Sequence, residues 1–312
     1  MEYVTLGRTG LRVSRVGLGC GGHSRLGLAT GGDATSARRV IDAALDLGIN
    51  FIDTARVYGT ENVVGEALQG RRDRVILSTK ASPGWGDDRV TPDALIESLN
   101  TSLRRLRTDC IDVFHLHGVL ASQYDYCVET LLPALQSART AGKVRFFGIT
   151  ERFADDPAHA MLTRAADHGQ FDVAMIGFNL LNPSARTRVL ASTQAKAVGT
   201  LIMFAVRRAL THPDLARERL APLFETGHSD ASAADPAQPL AFLTDDPAIG
   251  SLTEAAYRFC RHEPGVDVVL TGTGSVGHLA DNVSALLAPP LPATVTQRLT
   301  RAFGHLDSLS GD

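Results

Sequence analysis

The 312-residue chain predicts an α/β fold, a (β/α)8 TIM barrel. A long loop insertion follows strand 7, and an extra C-terminal helix ends the barrel. Three observations predict this. Short apolar runs alternate with longer amphipathic segments at a short period, as in parallel βα units. Ionisable residues (Asp53, Tyr58, Lys80 and His117) sit at or just past the ends of three such runs. Parallel α/β folds place their chemistry at that end of the sheet. No composition break marks a linker, so residues 1–312 read as one domain.

Residues 16–19 read as the first strand. A helix follows over 33–47, with Asp33 as N-cap. The next pairs are strand 49–52 with helix 62–68, strand 75–79 with helix 92–107, and strand 111–116 with helix 126–141. Pro92 falls in the first turn of its helix and Gly142 marks the end of the other. Strand 144–149 and helix 157–168 come next, then strand 171–178 and helix 184–197, then strand 199–204. Residues 207–250 break the rhythm with a helix over 213–225 and a small, polar, proline-punctuated stretch. A loop of this length inside a compact domain is usually functional or mobile. Helix 252–262, strand 266–270 and helix 276–287 complete eight repeats, and 292–306 reads as the appended helix.

Hydrophobic residues make up 44% and charged residues 21%, ordinary for a chain with a full core. A net charge of −3 with no basic cluster argues against nucleic acid as a partner. No run reaches the roughly 18 apolar residues of a membrane span, and no secretory signal is evident. Cys20, Cys110, Cys127 and Cys260 are widely spaced with no C-x-x-C, which suits reduced thiols and a cytoplasmic setting. Cys20, beside the first strand end, reads as a buried small hydrophobe.

The four strand-end residues suit protonation of an oxygen while another agent delivers hydride. A phenol has a pKa of about 10 and is a poor donor at neutral pH. A neighbouring ammonium lowers it, and an aspartate holds that ammonium charged and oriented. An imidazole orients a substrate carbonyl or relays the proton. Any one of these residues alone is ordinary; the ordered set is not. Two G-x-G-x-x-G matches, at 17–22 and 272–277, are weak as dinucleotide fingerprints. The first lacks a directly following helix, and too little chain follows the second. The second, with Gly272, Thr273, Gly274 and Ser275, reads instead as a phosphate-cradling turn at a helix N-terminus. No tyrosine has a lysine four residues on, so the Y-x-x-x-K pattern of another oxidoreductase class is absent. His115 and His117 form a metal-like H-x-H on one strand face, but further ligands are not apparent.

The chain is similar to the aldo-keto reductase family over nearly its whole length. The resemblance rests on residues 1–14, which look like the family's N-terminal β-hairpin, the run Phe51-Ile52-Asp53-Thr54-Ala55 with Tyr58-Gly59, and Lys80 and His117 after their own strands. It implies that Tyr58 is the general acid/base, Lys80 tunes it, Asp53 holds Lys80, and His117 lines the carbonyl site. It implies NADP(H) or NAD(H) as cofactor and a small carbonyl, alcohol or sugar as substrate. A sugar dehydrogenase branch resembling L-galactose or L-fucose dehydrogenases is among those left open.

By the same resemblance, Gly21 and Gly22 border the cofactor and Phe204 stacks on the nicotinamide. Thr150 and Glu151 stand where the family holds the carboxamide with a Ser-Asn pair. Met175 replaces a glutamine, with Asn179 placed to compensate. Gly272, Thr273 and His278, followed by Asp281 and Asn282, stand where the family grips the 2′-phosphate with cations. Without fixed cations there, preference for NADP(H) weakens, unless Arg207 and Arg208 supply the charge. The resemblance leans to NADP(H) and these residues lean away from it. His23, Trp85, Tyr124, Tyr126 and the 207–250 insertion are expected to shape the substrate pocket. Two other readings stay open: a nucleotide-binding accessory or sensor barrel, and a metal-assisted hydrolase built on His115 and His117.

Overall fold

A computed structural model describes residues 1–85 and 88–312. Eight parallel strands close on themselves in the order Val173–Gly177, Gly199–Met203, Val268–Thr271, Val16–Gly19, Phe51–Asp53, Ile76–Ala81, Ile111–Val119 and Val144–Glu151. The hairpin is β1 (Tyr3–Thr5) and β2 (Arg12–Ser14). The barrel begins with β3 (Val16–Gly19), α1 (Ala34–Asp46), β4 (Phe51–Asp53), α2 (Glu61–Ala67) and β5 (Ile76–Ala81). A small pair, β6 (Gly84–Trp85) and β7 (Asp88–Arg89), precedes α3 (Pro92–Leu106) and β8 (Ile111–Val119). Next, α4 (Tyr124–Tyr126) runs through a π-type turn into α5 (Leu132–Thr140), followed by β9 (Val144–Glu151), α6 (Ala160–His168) and β10 (Val173–Gly177). The remaining elements are α7 (Ala191–Ala195), β11 (Gly199–Met203), α8 (Pro213–Glu225), α9 (Leu252–Arg261), β12 (Val268–Thr271), α10 (Val276–Leu287) and α11 (Ala293–Phe303).

Local sequence accounts for these elements. Asp33 caps α1 by accepting from Ser36 N at 2.8 Å, and Ser36 Oγ accepts in return from Asp33 N. Ala37, Val40, Ile41, Ala44 and Leu45 recur at helical spacing and are all buried. Thr91 caps α3 with Pro92 in its first turn, and Leu95, Leu99 and Leu106 form its buried face.

Inside the barrel, Phe51, Val113, Val173, Met175, Leu201 and Val268 pack with Leu6, Leu11 and Val13, so the hairpin plugs the N-terminal end. The outward-facing strand residues pack against the helices in a second, larger core. Strand register then sets the mouth. Gly19 pairs with Asp53, Asp53 with Ser78, and Lys80 with His115. Because alternate residues share a face, Phe51 below puts Asp53 inside, and Val113 puts His115 and His117 inside.

The 207–250 insertion contains the expected helix and is tied down rather than free. Arg298 Nε donates to Ala233 O at 2.5 Å, and Arg301 pairs with Asp230 at 3.0 Å. The largest departure from the expected element ends is at α7, which begins at Ala191 where a helix from 184 was expected, because a π-type turn over Arg186–Leu190 precedes it; β8 runs on to Val119. Among the described residues, no helix is long and apolar enough to cross a membrane.

Candidate active site

Asp53 closes β4, and Tyr58 follows in a one-turn 3-10 segment whose N–H donates to Ala55 O at 3.0 Å. Asp53 is buried, with Oδ1 accepting from Ser78 Oγ at 2.7 Å and Oδ2 from Lys80 Nζ at 2.5 Å. Lys80 is fully buried; its Nζ also donates to Thr54 O at 2.8 Å and lies 3.5 Å from Tyr58 Oη. Tyr58 Oη is 3.4 Å from His117 Nε2, with the two rings edge-on at 88°.

Burial dominates the protonation of this cluster. It pushes Asp53 up, and Lys80 pulls it back. Burial disfavours the Lys80 ammonium, but Asp53 and Tyr58 together more than offset it, so Lys80 stays charged. The sequence led us to expect a Tyr58 phenol below its usual value. Instead burial raises it, and Lys80 only limits the rise. Burial, then the Lys80 charge, lowers His117 to about 3. At neutral pH the mouth therefore presents a protonated phenol, an ammonium and a neutral imidazole.

An open cavity of about 970 Å³ runs from this cluster toward α9 and α10. Gly19, Gly21, Gly22, His23, Tyr58, Met175, Met203 and Phe204 line one part of it. Ser251, Glu254, Gly272, Thr273, His278, Asp281 and Asn282 line the other. Two helix N-termini open there. Ser251 caps α9 by accepting from Glu254 N, and Ser275 caps α10 by accepting from His278 N. Free N–H groups at helix starts favour an anion, and the volume is at the upper end of ligand pockets. The site therefore fits an elongated dinucleotide whose phosphates lie toward the helix ends. Asn282 Nδ2 and Tyr257 Oη both bond Thr271 Oγ1 at 2.9 Å and stiffen this wall. The contributions of Ser251, Glu254 and Tyr257 were missed from sequence, although the S-x-x-E pattern of Ser251 and Glu254 marks a helix start.

Other expected cofactor residues are engaged elsewhere. Glu151 is buried, accepting from Gly177 N at 2.7 Å and meeting His159 Nδ1 at 2.9 Å. It lies outside the cavity lining, so the expected carboxamide contact is not supported. Thr150 is buried too, its Oγ1 accepting from Gly118 N at 2.7 Å. Asn179 donates to Phe204 O at 3.4 Å and Ser310 O at 3.2 Å, and accepts from Leu181 and Asn182 N. These bonds tie loops together, and Asn179 lies outside the cavity lining. Gly274 abuts Gly27, where a Cβ would come within 2.4 Å, and Ser275 caps α10; neither lines the cavity. Arg208 is exposed and Arg207 folds onto Phe204, and neither lines the cavity. Phe204 does line it, held at φ 65°, a left-handed conformation costly for a bulky residue.

The expected substrate aromatics divide as well. Tyr124 is buried with its hydroxyl 3.3 Å from His168 Nδ1, and Tyr126 donates to Val90 O at 2.9 Å. Both serve packing around α4. Trp85 is 65% exposed with the Arg152 guanidinium 5.2 Å from its ring. His23 lines the cavity. His115 is fully buried with neither ring nitrogen in hydrogen-bond contact. Among the described residues, no group of three His, Cys, Asp or Glu side chains is placed to hold a metal ion.

A parallel eight-stranded barrel with this cluster at its C-terminal mouth and a dinucleotide-sized cavity beside it defines a barrel oxidoreductase. Residues 17–302 match the model of the Aldo/keto reductase family, and the chain belongs to that family as an NAD(P)-dependent oxidoreductase. It is 28% identical over 303 residues to aldo-keto reductase YhdN of Bacillus subtilis (strain 168), covering 89% of this chain and 87% of that one. It is 29% identical over 301 residues to L-galactose dehydrogenase of Arabidopsis thaliana, covering 92% and 88%. A 34% match to the uncharacterized oxidoreductase YqkF of B. subtilis spans about half of each protein, 48% and 49%. The solved structure of aldo-keto reductase AKR11C1 from Bacillus halodurans in its holo form superposes with a TM-score of 0.76 at 26% identity, covering all of both chains.

Proposed function

We propose that the protein interconverts a small aldehyde, ketone or sugar lactol and the matching alcohol or lactone, with Tyr58 as general acid/base. The observation that carries this reading is the placement of Tyr58 Oη at the cavity, 3.5 Å from Lys80 Nζ and 3.4 Å from His117 Nε2. The nicotinamide nucleotide, when bound, supplies or accepts the hydride. Tyr58, protonated at neutral pH, donates to the substrate oxygen as negative charge develops there. Lys80 stabilises the resulting phenolate, and Asp53 keeps Lys80 charged and aimed. The neutral His117 shares the substrate oxygen with Tyr58 as an oxyanion-type donor. Met175, Met203 and Leu270 give the hydride-transfer end of the cavity an apolar wall that excludes water.

We infer a preference for NAD(H) from the charges along the cavity. Among the described residues lining it there is no lysine or arginine, whereas Glu254 and Asp281 both line the far end. A dianionic 2′-phosphate would meet helix N–H groups but no fixed cation. A sugar substrate is in keeping with the likeness to L-galactose dehydrogenase.

The test is titration with NADH and NADPH by fluorescence quenching, then an aldehyde and sugar panel, in wild type and Tyr58→Phe. Tyr58→Phe should bind nucleotide normally and lose about 10²–10⁴-fold in turnover. A variant with near-normal kcat would remove Tyr58 from the chemistry. A protein that binds nucleotide but turns over nothing would favour the accessory-barrel reading.

A further inference from the structure

Glu151 ends β9, Phe153 and His159 follow it, and all three are buried without lining the cavity. The Glu151 carboxylate accepts from Gly177 N at 2.7 Å and meets His159 Nδ1 at 2.9 Å. The His159 ring stacks on Phe153, with centroids 5.4 Å apart and planes at 20°. Phe153 stacks in turn on Phe204, 6.2 Å apart at 18°. Phe204 lines the cavity together with Met175, Met203 and Tyr58. A run of near-parallel rings thus leads from a buried carboxylate to the apolar end of the cavity.

Two observations show that this stack is held in place. The first is backbone strain. Among the described residues, six non-glycine residues have a left-handed backbone, and two of them are His159 at φ 60° and Phe204 at φ 65°. Bulky residues keep that conformation only where the surroundings over-determine it. Glu151 holds the His159 ring, while Asn179 Nδ2 donates to Phe204 O at 3.4 Å. Phe153 touches both strained residues. The second observation is Gly177, which pairs with Met203 across β10 and β11. A Cβ at residue 177 would lie 2.2 Å from Phe153 Cγ and 2.5 Å from its Cδ2. Glycine is therefore what lets the Phe153 ring close onto the end of β10, and the same residue's N–H fixes Glu151.

We propose that Phe153, anchored through His159 by Glu151, is a positioning residue that fixes the Phe204 ring where the cofactor's nicotinamide rests on it. The proposal rests on the reading above, in which the apolar end of the cavity is the hydride-transfer end. Glu151 then acts on the cofactor through a stack of rings and not by direct contact. Without the Phe153 ring, Phe204 has room to relax away from its strained conformation, and the nicotinamide loses its platform.

Calorimetric titrations test this with the tighter binder of NADH and NADPH, set against ADP-ribose or its 2′-phosphate, which lacks the nicotinamide. The proteins are wild type, Phe204→Leu, Phe153→Leu and the double variant. Phe153→Leu should weaken the dinucleotide about tenfold, the scale of a lost aromatic contact, and leave the ADP-ribose compound unchanged. Phe204→Leu should show the same selectivity, and adding Phe153→Leu to it should cost no further affinity. A Phe153 that serves only the fold would weaken both ligands alike, and that result overturns the proposal. So do additive losses in the double variant, or a selective loss in Phe204→Leu with none in Phe153→Leu. Phe204→Leu without a selective loss overturns it too, because the nicotinamide then does not rest on that ring. Phe153→Met, closer in volume, decides the matter where Phe153→Leu fails to fold. The titrations need no turnover. If the wild type turns over no aldehyde or sugar, the proposed reaction fails, and binding alone still decides for or against the ring stack. A wild type that binds neither nucleotide ends both readings.

Discussion

Lys80 Nζ reaches Asp53 Oδ2 at 2.5 Å but stands 3.5 Å from Tyr58 Oη. The ammonium is thus tightly bound to its carboxylate and only loosely to the phenol it tunes. A phenol neutral at rest needs a strong partner only when it becomes a phenolate, so the loose contact leaves room for the interaction to tighten as the proton leaves. Catalytic hydrogen bonds are often long before substrate is present.

Removing the lysine separates its two tasks. Lys80→Met leaves Asp53 buried with no cation, a change that typically costs about 3–5 kcal/mol. Asp53→Asn/Lys80→Met should recover most of that stability in urea unfolding. It should not recover turnover, and its residual alcohol oxidation should move to higher pH, because the phenol loses the charge that limits its rise. A double variant whose pH–rate profile matches wild type would argue that Lys80 does not tune Tyr58.

The buried histidines set the acid limb of stability. His115 is held well below its usual pKa by burial and by Lys80, and His117 is lowered to about 3 by the same causes. Below pH about 6.5 the unfolded chain takes up a proton at each imidazole and the folded chain does not. Stability should therefore fall as pH drops below about 6.5, by up to about 1.4 kcal/mol per pH unit for each histidine. Above that pH these groups contribute no slope. His115→Leu should remove one part of the slope while keeping neutral-pH stability. Urea midpoints at pH 5 and pH 7.5 measure it, and an unchanged slope would show that His115 does not remain neutral in the fold.

Much of the scaffold was legible because strand ends are marked by apolar runs that stop at a polar residue. Asp53, Lys80 and His117 each end one, and period-2 alternation put them on the inner face. Burial was not legible: a lysine beside Tyr58 suggested a lowered phenol, and desolvation reversed the direction. Nor were contacts across the chain. Arg207 meets Asp312, and Glu151 meets His159 through a left-handed backbone at φ 60°, neither of which has a local signature. Tyr124 and Tyr126 were misplaced because the phase of a short helix that runs into a π-type turn cannot be read from spacing.

Cofactor choice is open to a single substitution. His278 lines the cavity end where Glu254 and Asp281 also lie. His278→Arg should strengthen NADPH binding by roughly 1–3 kcal/mol if the guanidinium makes charge-assisted bonds to the phosphate. NADH affinity should change little. Fluorescence-quenching titrations give both constants. A wild-type protein that already prefers NADPH by several orders of magnitude would contradict the under-charged cavity.

The position of the Tyr58 ring is set from below by Gly21. A Cβ on residue 21 would lie 2.6 Å from Tyr58 Cε2 and 2.7 Å from its Cζ, closer than carbon atoms can pack. The ring would have to move, and its contacts to Lys80 and His117, at 3.5 Å and 3.4 Å, are already at the limit of hydrogen bonding. Displacement of about 1 Å in a reacting group can cost on the order of 10²-fold in rate. Gly21→Ala should therefore lose about that much kcat while the fold keeps its Tm within a few degrees. Gly21 also borders the cavity, so a loss of nucleotide affinity alone has to be separated from a loss through Tyr58. The double variant Gly21→Ala/Tyr58→Phe makes the separation. If Gly21 acts through the phenol, adding Gly21→Ala to Tyr58→Phe should lower kcat no further at saturating nucleotide. Full additivity of the two losses would show instead that Gly21 serves the nucleotide and leaves Tyr58 where it is.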